Sequence, residues 1–477
     1  MMSRITGNGP QPSEETEKGE GVILSPDEHP IQEQDIESEA LKVLYRLRDA
    51  GYSGYLVGGG VRDLYLGNKP KDFDISTNAR PGQLRKLFRN SRTIGRRFRL
   101  VQVFFRGNKI IEVSTLRSQS EYDSDAPDKV LPANNTFGTL EEDAFRRDLT
   151  INSLFYEIEN KTVIDYVGGV RDLTDGIIRL VGEPEQRIIR DPVRMLRAIR
   201  HAARNDFTIE EKTWQAICSH ADKLALCPTS RLRDELLKDL RGGSSSAWAE
   251  LAVRSGVFTA LFPFYSDLLS SGEREAVQKE LLAMLASLDK VYCNGAKHGR
   301  VRIDDAMIFA VLLLPWAERR FDLLQQELKG PGYHQLAKAV RVELDEVIAH
   351  RMNLKRAIRD RITTLFVNMP SLQKHQKNNT WPAWLRKKSY FADCSRLYAL
   401  YREAVAGETP DIGQFIETAE TDDPSDPSVQ NKNRTAESES SPVSSAAAGR
   451  SQCSGKRGGN NPAFSSHKHG VFGLRKG

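Results

Sequence analysis

The stretch Leu56–Asp63, with the sequence LVGGGVRD, decides the fold of the first half of this chain of 477 residues. Its apolar start is typical of a strand, and its glycines predict a turn before a helix. Because glycine has no Cβ, the backbone N–H groups of Gly59 and Gly60 can approach a phosphate closely, with Arg62 beside them. The stretch therefore predicts a phosphate-binding turn; the alternative is an ordinary strand-to-helix connection.

Two carboxylates follow in Lys71–Ile75, with the sequence KDFDI. Side chains alternate along a strand, so Asp72 and Asp74 would point to the same face of a predicted strand 72–75. Paired carboxylates can hold two divalent metal ions, which neutralise a triphosphate and stabilise the leaving pyrophosphate. We predict that both are metal-binding and catalytic, with Glu112 on a neighbouring strand as a third catalytic carboxylate. As an alternative, Asp72 and Asp74 are solvated carboxylates at the end of a strand. For Glu112, the alternative is a charged residue on the solvent-exposed face of an edge strand.

Composition narrows the class of protein. The chain is 39% hydrophobic and 28% charged, with a net charge of +5, which permits a polyanionic partner. The longest apolar run, Ile308–Leu314, stops at Pro315 and is too short to span a membrane, so we expect a helix of the core. With no apolar signal at the amino terminus, the expected location is cytoplasmic, without a membrane partner. Five dispersed cysteines form no C-x-x-C pair and predict neither a zinc site nor disulfides.

The pattern of apolar residues divides the chain in two. The first half alternates strands and helices, and after Pro192 helical periodicity continues to about Ala406. The predicted elements are a helix over 35–50, a helix over 81–88, and strands at 54–57, 72–75, 100–106, 109–115 and 163–166, with a hairpin at Gly107-Asn108. Polar, aperiodic ends predict a disordered acidic arm and a disordered basic tail.

Three linked motifs carry a family resemblance. Gly59–Asp63 with Leu66-Gly67, then Lys71–Asp74, then Arg146–Leu154 together resemble the class II nucleotidyltransferases of the polymerase-β superfamily, which comprise bacterial poly(A) polymerases and the tRNA nucleotidyltransferases that build the CCA end. The similarity covers about residues 35–265. It implies a multidomain fold, α/β followed by all-α. The expected domains are an arm (1–34), a polymerase-β-like catalytic head with a mixed sheet (35–180), a helical neck that binds the base and RNA (181–265), a helical body and tail that bind RNA (266–421), and a basic tail (422–477).

The resemblance also implies roles for the residues of a nucleotide site. Arg146 and Arg147 would contact the triphosphate and ribose, Asp148 would accept from a ribose hydroxyl, and Asn152 belongs to the same segment. A surface ion-pair cluster is the alternative.

Base recognition is implied for a second segment. Asp191 and Arg194 match a motif that reads the base, and Arg197 extends a basic stripe on the same predicted helix with Arg190, His201 and Arg204. A carboxylate beside a guanidinium selects adenine and cytosine over guanine and uracil, but cannot separate ATP from CTP. Arg190 stands where the family has Glu. As alternatives, Asp191 caps a helix and the stripe is a solvated face.

A segment that differs within the family is Ile94–Val103. It resembles the bacterial poly(A) polymerases, and its Arg96, Arg97 and Arg99 would bind the RNA backbone. We therefore expect template-independent transfer of AMP from ATP to RNA 3′-hydroxyls, with release of pyrophosphate and with Mg²⁺, or Mn²⁺ in its place. The alternatives are a tRNA nucleotidyltransferase adding CCA, CC or the terminal A, and an RNA-binding protein without catalysis. Further on, Arg231 and Glu235 resemble a neck-helix motif, or form an i,i+4 ion pair.

Overall fold

A mixed sheet occupies the first part of the protein. The computed structural model describes residues 21–95, 99–118, 137–295, 299, 301–326, 330–376 and 380–415, all within one structural unit. Within these residues eight strands follow the order β1-β8-β7-β2-β3-β6-β5-β4. They are β1 (Val22–Leu24), β2 (Gly54–Val57), β3 (Asp74–Thr77), β4 (Ser91–Ile94), β5 (Leu100–Phe104), β6 (Ile110–Thr115), β7 (Phe155–Glu157) and β8 (Thr162–Asp165). The prediction of a disordered arm is wrong for residues 21–34, because Val22–Leu24 form β1 and pair with β8. The rest of the arm and the predicted basic tail lie outside the described residues.

Strand pairing sets which residues meet at the edge of the sheet. β3 runs antiparallel to β2 and parallel to β6, so that Asp74 is the partner of Glu112. β5 and β6 form the predicted hairpin, whose turn has positive φ angles at Gly107 (74°) and Asn108 (59°). Glycine and asparagine adopt this left-handed conformation most readily, which explains why the dipeptide marks the turn.

Helices cover the sheet and make up most of the described chain that follows it. Those of the first part are α1 (Ser38–Asp49), α2 (Gly59–Tyr65), α3 (Pro81–Leu87), α4 (Leu140–Arg146) and α5 (Gly169–Asp175). They are followed by the short strands β9 (Ile177–Ile178) and β10 (Thr208–Ile209), and by α6 (Pro184–Arg190), α7 (Val193–Asn205), α8 (Glu211–His220), α9 (Thr229–Leu240), α10 (Ser245–Arg254), α11 (Val257–Leu261) and α12 (Ser266–Ser270). The last are α13 (Arg274–Gly295), α14 (Asp305–Phe321), α15 (Pro331–Leu344), α16 (Arg356–His375), α17 (Ala383–Arg386) and α18 (Phe391–Ala406). The predicted fold class, a mixed α/β head followed by helices, is confirmed.

Helix α14 corrects one expectation. The apolar run is buried, as predicted, but the helix continues through Pro315 instead of ending there. Proline lacks an N–H and opens the helix at this point. The buried Tyr265 hydroxyl donates to the Leu312 carbonyl (2.8 Å) and accepts from the Trp316 N–H (3.3 Å), so both backbone groups have a partner. In the described part of the chain, no helix has the length and apolarity required to span a membrane.

Candidate active site

A cleft of about 340 Å³ lies where the sheet meets the helices that follow it. It brings together eight of the residues predicted for the site, from four separate parts of the sequence. Its described lining consists of Val57, Asp74, Leu100, Glu112, Ser114, Arg146, Arg147, Asp148, Asp191, Arg194, Arg197 and Arg231. One wall is therefore acidic and belongs to the sheet, and the facing wall is rich in arginine.

The acidic wall is formed by Asp74 and Glu112. Parallel pairing of β3 with β6 sets them side by side, and Glu112 accepts a hydrogen bond from Gln102 Nε2 (3.0 Å). Asp74 is exposed to the cleft. Withdrawal from bulk solvent by the cleft walls, together with the charge of Glu112, raises the pKa of Asp74 to about 6. Two carboxylates this close favour a cation between them.

Asp72 does not occupy the position predicted for it. The strand begins at Asp74 and not at Asp72, because β2 ends with Val57 opposite Asp74 and the chain then turns at Gly58 (φ 70°). Asp72 is exposed in the preceding loop, while Phe73 is buried in the core. The charge of Asp72 contributes to the raised pKa of Asp74, but Asp72 is absent from the described lining. Among the described residues, no three His, Cys, Asp or Glu side chains are grouped closely enough to hold a metal ion.

The arginine wall is positioned by a carboxylate that sequence reasoning missed. Asp143, on α4, is 1% exposed, and it accepts from Arg146 Nε (2.8 Å) and from Arg147 Nε (3.1 Å) and Nη2 (2.9 Å). Burial alone would raise the pKa of Asp143, but Arg147 and Arg146 outweigh it and hold that pKa below its usual value. The i,i+3 and i,i+4 spacing was a signal that could have found this group.

Asp148 lies next to these arginines and pairs with Arg197 Nε. Burial alone would raise its pKa, but the charges of Arg197 and Arg194 outweigh it, and the pKa of Asp148 is well below its usual range. Asp148 is therefore ionised and available as an acceptor. The Arg194 guanidinium donates to the carbonyl of Arg147 (3.2 Å) and lies 3.5 Å from the carbonyl of Arg146. These contacts hold α7 against the segment that follows α4.

Asp191 lies between α6 and α7 and makes no capping hydrogen bond to α7. Its carboxylate is held by Arg231 of α9, with Nη1 at 2.8 Å and Nη2 at 2.9 Å, and Arg194 Nε lies 3.9 Å away. The alternative that the Asp191 side chain caps the amino terminus of the helix after Pro192 is therefore wrong. The proposed i,i+4 pair of Arg231 with Glu235 is also wrong, since Glu235 faces α7 and pairs with Arg200.

Arg62 and Asn152 lie behind the cleft and are not part of its described lining. Arg62 is buried, and its Nη1 is 2.6 Å from Asn152 Oδ1 and 3.3 Å from His201 Nδ1. Burial and the charge of Arg62 lower the pKa of His201 to about 3, so the imidazole is neutral. The predicted basic stripe is accordingly interrupted: His201 is buried and uncharged, and Arg190 ends the preceding helix α6.

The glycine turn lies against the acidic loop. α2 begins at Gly59, and a Cβ on Gly60 would lie 3.4 Å from the Asp72 carbonyl oxygen, which is about van der Waals contact; the position whose backbone favours glycine is Gly58, with φ 70°. Arg99 is exposed just before β5, and its carbonyl accepts from Arg117 (3.3 Å). Arg96 and Arg97 lie outside the described residues.

Comparison with known proteins gives consistent matches. Residues 54–179 match the family described as "Poly A polymerase head domain", and residues 206–269 match "Probable RNA and SrmB- binding site of polymerase A". The chain is 41% identical to Poly(A) polymerase I of Salmonella typhi over 375 residues, which cover 76% of this chain and 77% of that protein. It is 36% identical to the CCA-adding enzyme of Bacillus subtilis over 239 residues, 49% of this chain and 59% of that protein. The solved CCA-adding enzyme of Bacillus stearothermophilus in complex with CTP shares the fold, with a TM-score of 0.58, 24% identity, and coverage of 79% of this chain and 80% of that one.

Proposed function

The chain belongs to the family of bacterial poly(A) polymerases, and on that premise we propose that it transfers AMP from ATP to RNA 3′-hydroxyls without a template, releasing pyrophosphate, in the cleft around Asp74 and Glu112. Membership makes it a polynucleotide adenylyltransferase whose substrates are nucleotides and RNA. The observation that carries the assignment of the site is the cleft itself, which joins an acidic wall of the sheet to an arginine wall of the helices. A nucleoside triphosphate needs both, since metal-bound phosphates require carboxylates on one side and cations on the other.

Divalent metal use is general in this family, and the oxygen donors of the acidic wall fit Mg²⁺, with Mn²⁺ as a substitute. Asp74 and Glu112 would hold the ion, and Asp72 would approach it from the loop before β3. The raised pKa of Asp74 agrees with this fit, because burial and the charge of Glu112 disfavour the ionised carboxylate, and a bound cation would favour it. When bound, the metal supplies neutralisation of the triphosphate and activation of the attacking hydroxyl.

The chain's own residues orient the nucleotide. Arg146 and Arg147, held in register by Asp143, direct guanidinium groups at the phosphates, and Asp148 accepts from a ribose hydroxyl. Gly59 and Gly60 let the α2 backbone approach the phosphates. Arg62 and Asn152, which are hydrogen-bonded to each other behind the cleft, support this part of the site. Reactions of this class depend mainly on positioning and charge stabilisation, which such a constellation supplies.

The base of the nucleotide is recognised by Asp191 together with Arg194 and Arg197 of α7. The carboxylate accepts from an exocyclic amine, and a guanidinium donates to the adjacent ring nitrogen, which admits adenine and cytosine and excludes guanine and uracil. Arg231 holds Asp191 through one hydrogen bond, from Nη2 to Oδ2, and through an ion-pair contact of Nη1 with Oδ1. On this account Arg194 exchanges one of its backbone carbonyl partners for the base.

RNA recognition is assigned to the helical neck, 181–265, and to the body and tail, 266–421, which follow the head at 35–180. Arg99, beside the outer strands, would contact the RNA backbone together with Arg96 and Arg97. The match of residues 206–269 to the family's RNA-binding segment supports the neck assignment.

A second candidate, addition of CCA, CC or the terminal A to tRNA, is favoured by the identity with CCA-adding enzymes over about half of the chain. One assay separates the two: purified protein receives ATP or CTP separately, with an unstructured RNA or a tRNA lacking its 3′ end. We expect repeated AMP addition to the unstructured RNA and little CMP transfer. Efficient CMP transfer confined to the truncated tRNA would overturn polyadenylation in favour of tRNA repair.

A further inference from the structure

A segment near the end of the helical part combines cations with tryptophan. Between Ser371 and Ala392 the sequence contains five Lys or Arg residues and no Asp or Glu. Two of the five tryptophans of the chain, Trp381 and Trp384, also lie there. Neither family match, to 54–179 or to 206–269, reaches this segment. Interleaved cations and aromatic rings are the composition that binds single-stranded nucleic acid.

In the structure, the short helix α17 presents this composition to solvent. The Trp384 side chain is 51% exposed, and it has one aromatic neighbour, His375, in an edge-to-face contact with ring centroids 5.2 Å apart. Arg386, Lys387 and Lys388 are exposed. Of the carboxylates that the structure describes, none lies within ion-pair distance of these three cations. Three adjacent cations therefore carry positive charge that no described carboxylate neutralises.

A hollow of about 420 Å³ adjoins these cations, because Arg386 is also one of its lining residues. Its aromatic wall is formed by Trp381 and Phe391, whose rings meet edge to face at 5.5 Å. Trp381 is anchored from behind, since its Nε1 donates to the Leu372 carbonyl at 3.0 Å. A fixed aromatic wall of this kind has room for a planar group.

We propose that this surface, formed by Trp384, Arg386, Lys387 and Lys388 with the Trp381–Phe391 hollow, binds a single-stranded stretch of the RNA acceptor. A base would stack on Trp384, and the three cations would pair with successive phosphates. An acidic protein would satisfy the cations but would leave the exposed ring unexplained. An anionic lipid surface would accommodate both the cations and the ring, and the vesicle measurement below distinguishes it from RNA. The inference rests on the proposed function, because an enzyme that elongates RNA 3′ ends must hold a strand of changing sequence, and stacking with phosphate contacts is tolerant of sequence.

The experiment compares surface variants of the full-length protein in binding a labelled oligoadenylate of about 20 nucleotides over a series of salt concentrations. W384A should weaken binding roughly 5- to 150-fold, the range expected for one stacked base. R386Q/K387Q/K388Q should lower the slope of log K against log salt by about 2, since each phosphate contact of a single strand contributes about 0.7. The control K338Q/K355Q removes two exposed lysines elsewhere and should reduce the slope by less than half as much.

Three outcomes would overturn the proposal. The first is a change below twofold in affinity for both W384A and the triple variant, with thermal melting unchanged. The second is an equal loss in the K338Q/K355Q control, which would show only a diffuse charge effect. The third is loss of binding to phosphatidylserine vesicles with RNA binding intact, which would make the surface a lipid contact.

Incorporation of AMP into a very short acceptor at saturating concentration separates this proposal from the proposed function. All variants should retain the rate of the unmodified protein on that acceptor. If the unmodified protein adds no AMP to any acceptor, the proposed function fails, whatever the oligoadenylate titration shows. If the titration shows no effect while incorporation is normal, the surface assignment alone fails.

Discussion

Replacing Asp143 by Asn tests how the arginine wall of the cleft is built. The carboxylate is 1% exposed and receives three hydrogen bonds from Arg146 and Arg147, and one from the Arg117 backbone N–H (3.3 Å). An Asn side chain keeps one acceptor oxygen, but its amide NH₂ would face a guanidinium that also donates. The positive charges of Arg146 and Arg147 would then remain close together without a negative charge between them. Removing one partner of a buried ion pair costs about 3–5 kcal/mol. We expect about 3 kcal/mol, because the Arg146 side chain retains 28% exposure and regains some hydration.

The assay has a stability part and a catalytic part. In urea unfolding, D143N should lose about 3 kcal/mol, while the control E141Q, an exposed residue of the same helix, should change by less than about 0.5 kcal/mol. In AMP incorporation, kcat/KM for ATP should fall roughly 10- to 100-fold, because the two guanidinium groups are no longer held in position. D143N stability and kcat/KM equal to those of E141Q would refute the reasoning.

The same variant has a defined pH dependence. The pKa of Asp143 is lower in the folded state than in the unfolded state, so its stabilisation is fully present above the unfolded value of about 3.9 and is lost as the pH falls through the folded value. The stability difference between the unmodified protein and D143N should therefore be constant near neutral pH and shrink below about pH 4. A difference that grows on acidification would contradict the sign of the shift.

Three further substitutions follow from single contacts. Tyr265→Phe should cost about 1–3 kcal/mol of unfolding free energy with an unchanged urea m-value, because two backbone groups in α14 lose their partner; no loss would show that the hydroxyl is dispensable. Arg231→Gln should reduce the preference for ATP over GTP in incorporation assays, because Asp191 loses the hydrogen bond and the ion pair that orient it, whereas an unchanged ratio would remove Arg231 from base selection. Asp148→Asn should reduce the preference for ATP over 2′-deoxy-ATP, and equal discrimination in both proteins would show that Asp148 accepts no ribose hydroxyl.

Features with local sequence determinants were predicted well. The strand, glycine turn and helix around Gly59, the hairpin at Gly107-Asn108 and the helical character after Pro192 all depend on residues close together in the chain. The parallel pairing that puts Glu112 beside Asp74 also agrees with the expectation of a carboxylate from a neighbouring strand. That expectation rested on the chemistry of paired carboxylates at a metal site and on the strand pattern around Glu112, since parallel partners have no turn between them to reveal the register.

Features that depend on distant partners were not predictable. Arg231 pairs with Asp191 across 40 residues because α9 packs on α7, and no spacing rule links them. Arg62 is of the residue type that binds phosphate, yet its guanidinium donates to Asp63 and Asn152 and contacts His201 behind the cleft. Whether an arginine faces a cleft or the core is decided by the packing of the surrounding elements, which the sequence of one segment does not contain.

The central claim is that Asp74 is at the centre of catalysis in this cleft. The direct measurement is AMP incorporation into RNA by D74N alongside RNA binding by the same protein. As a control, D175N changes an acid of the same head that is involved only in an exposed ion pair with Arg171 (3.5 Å). We predict that D74N loses incorporation while binding RNA normally, and that D175N is fully active. A D74N protein that adds AMP at the rate of D175N would contradict the account.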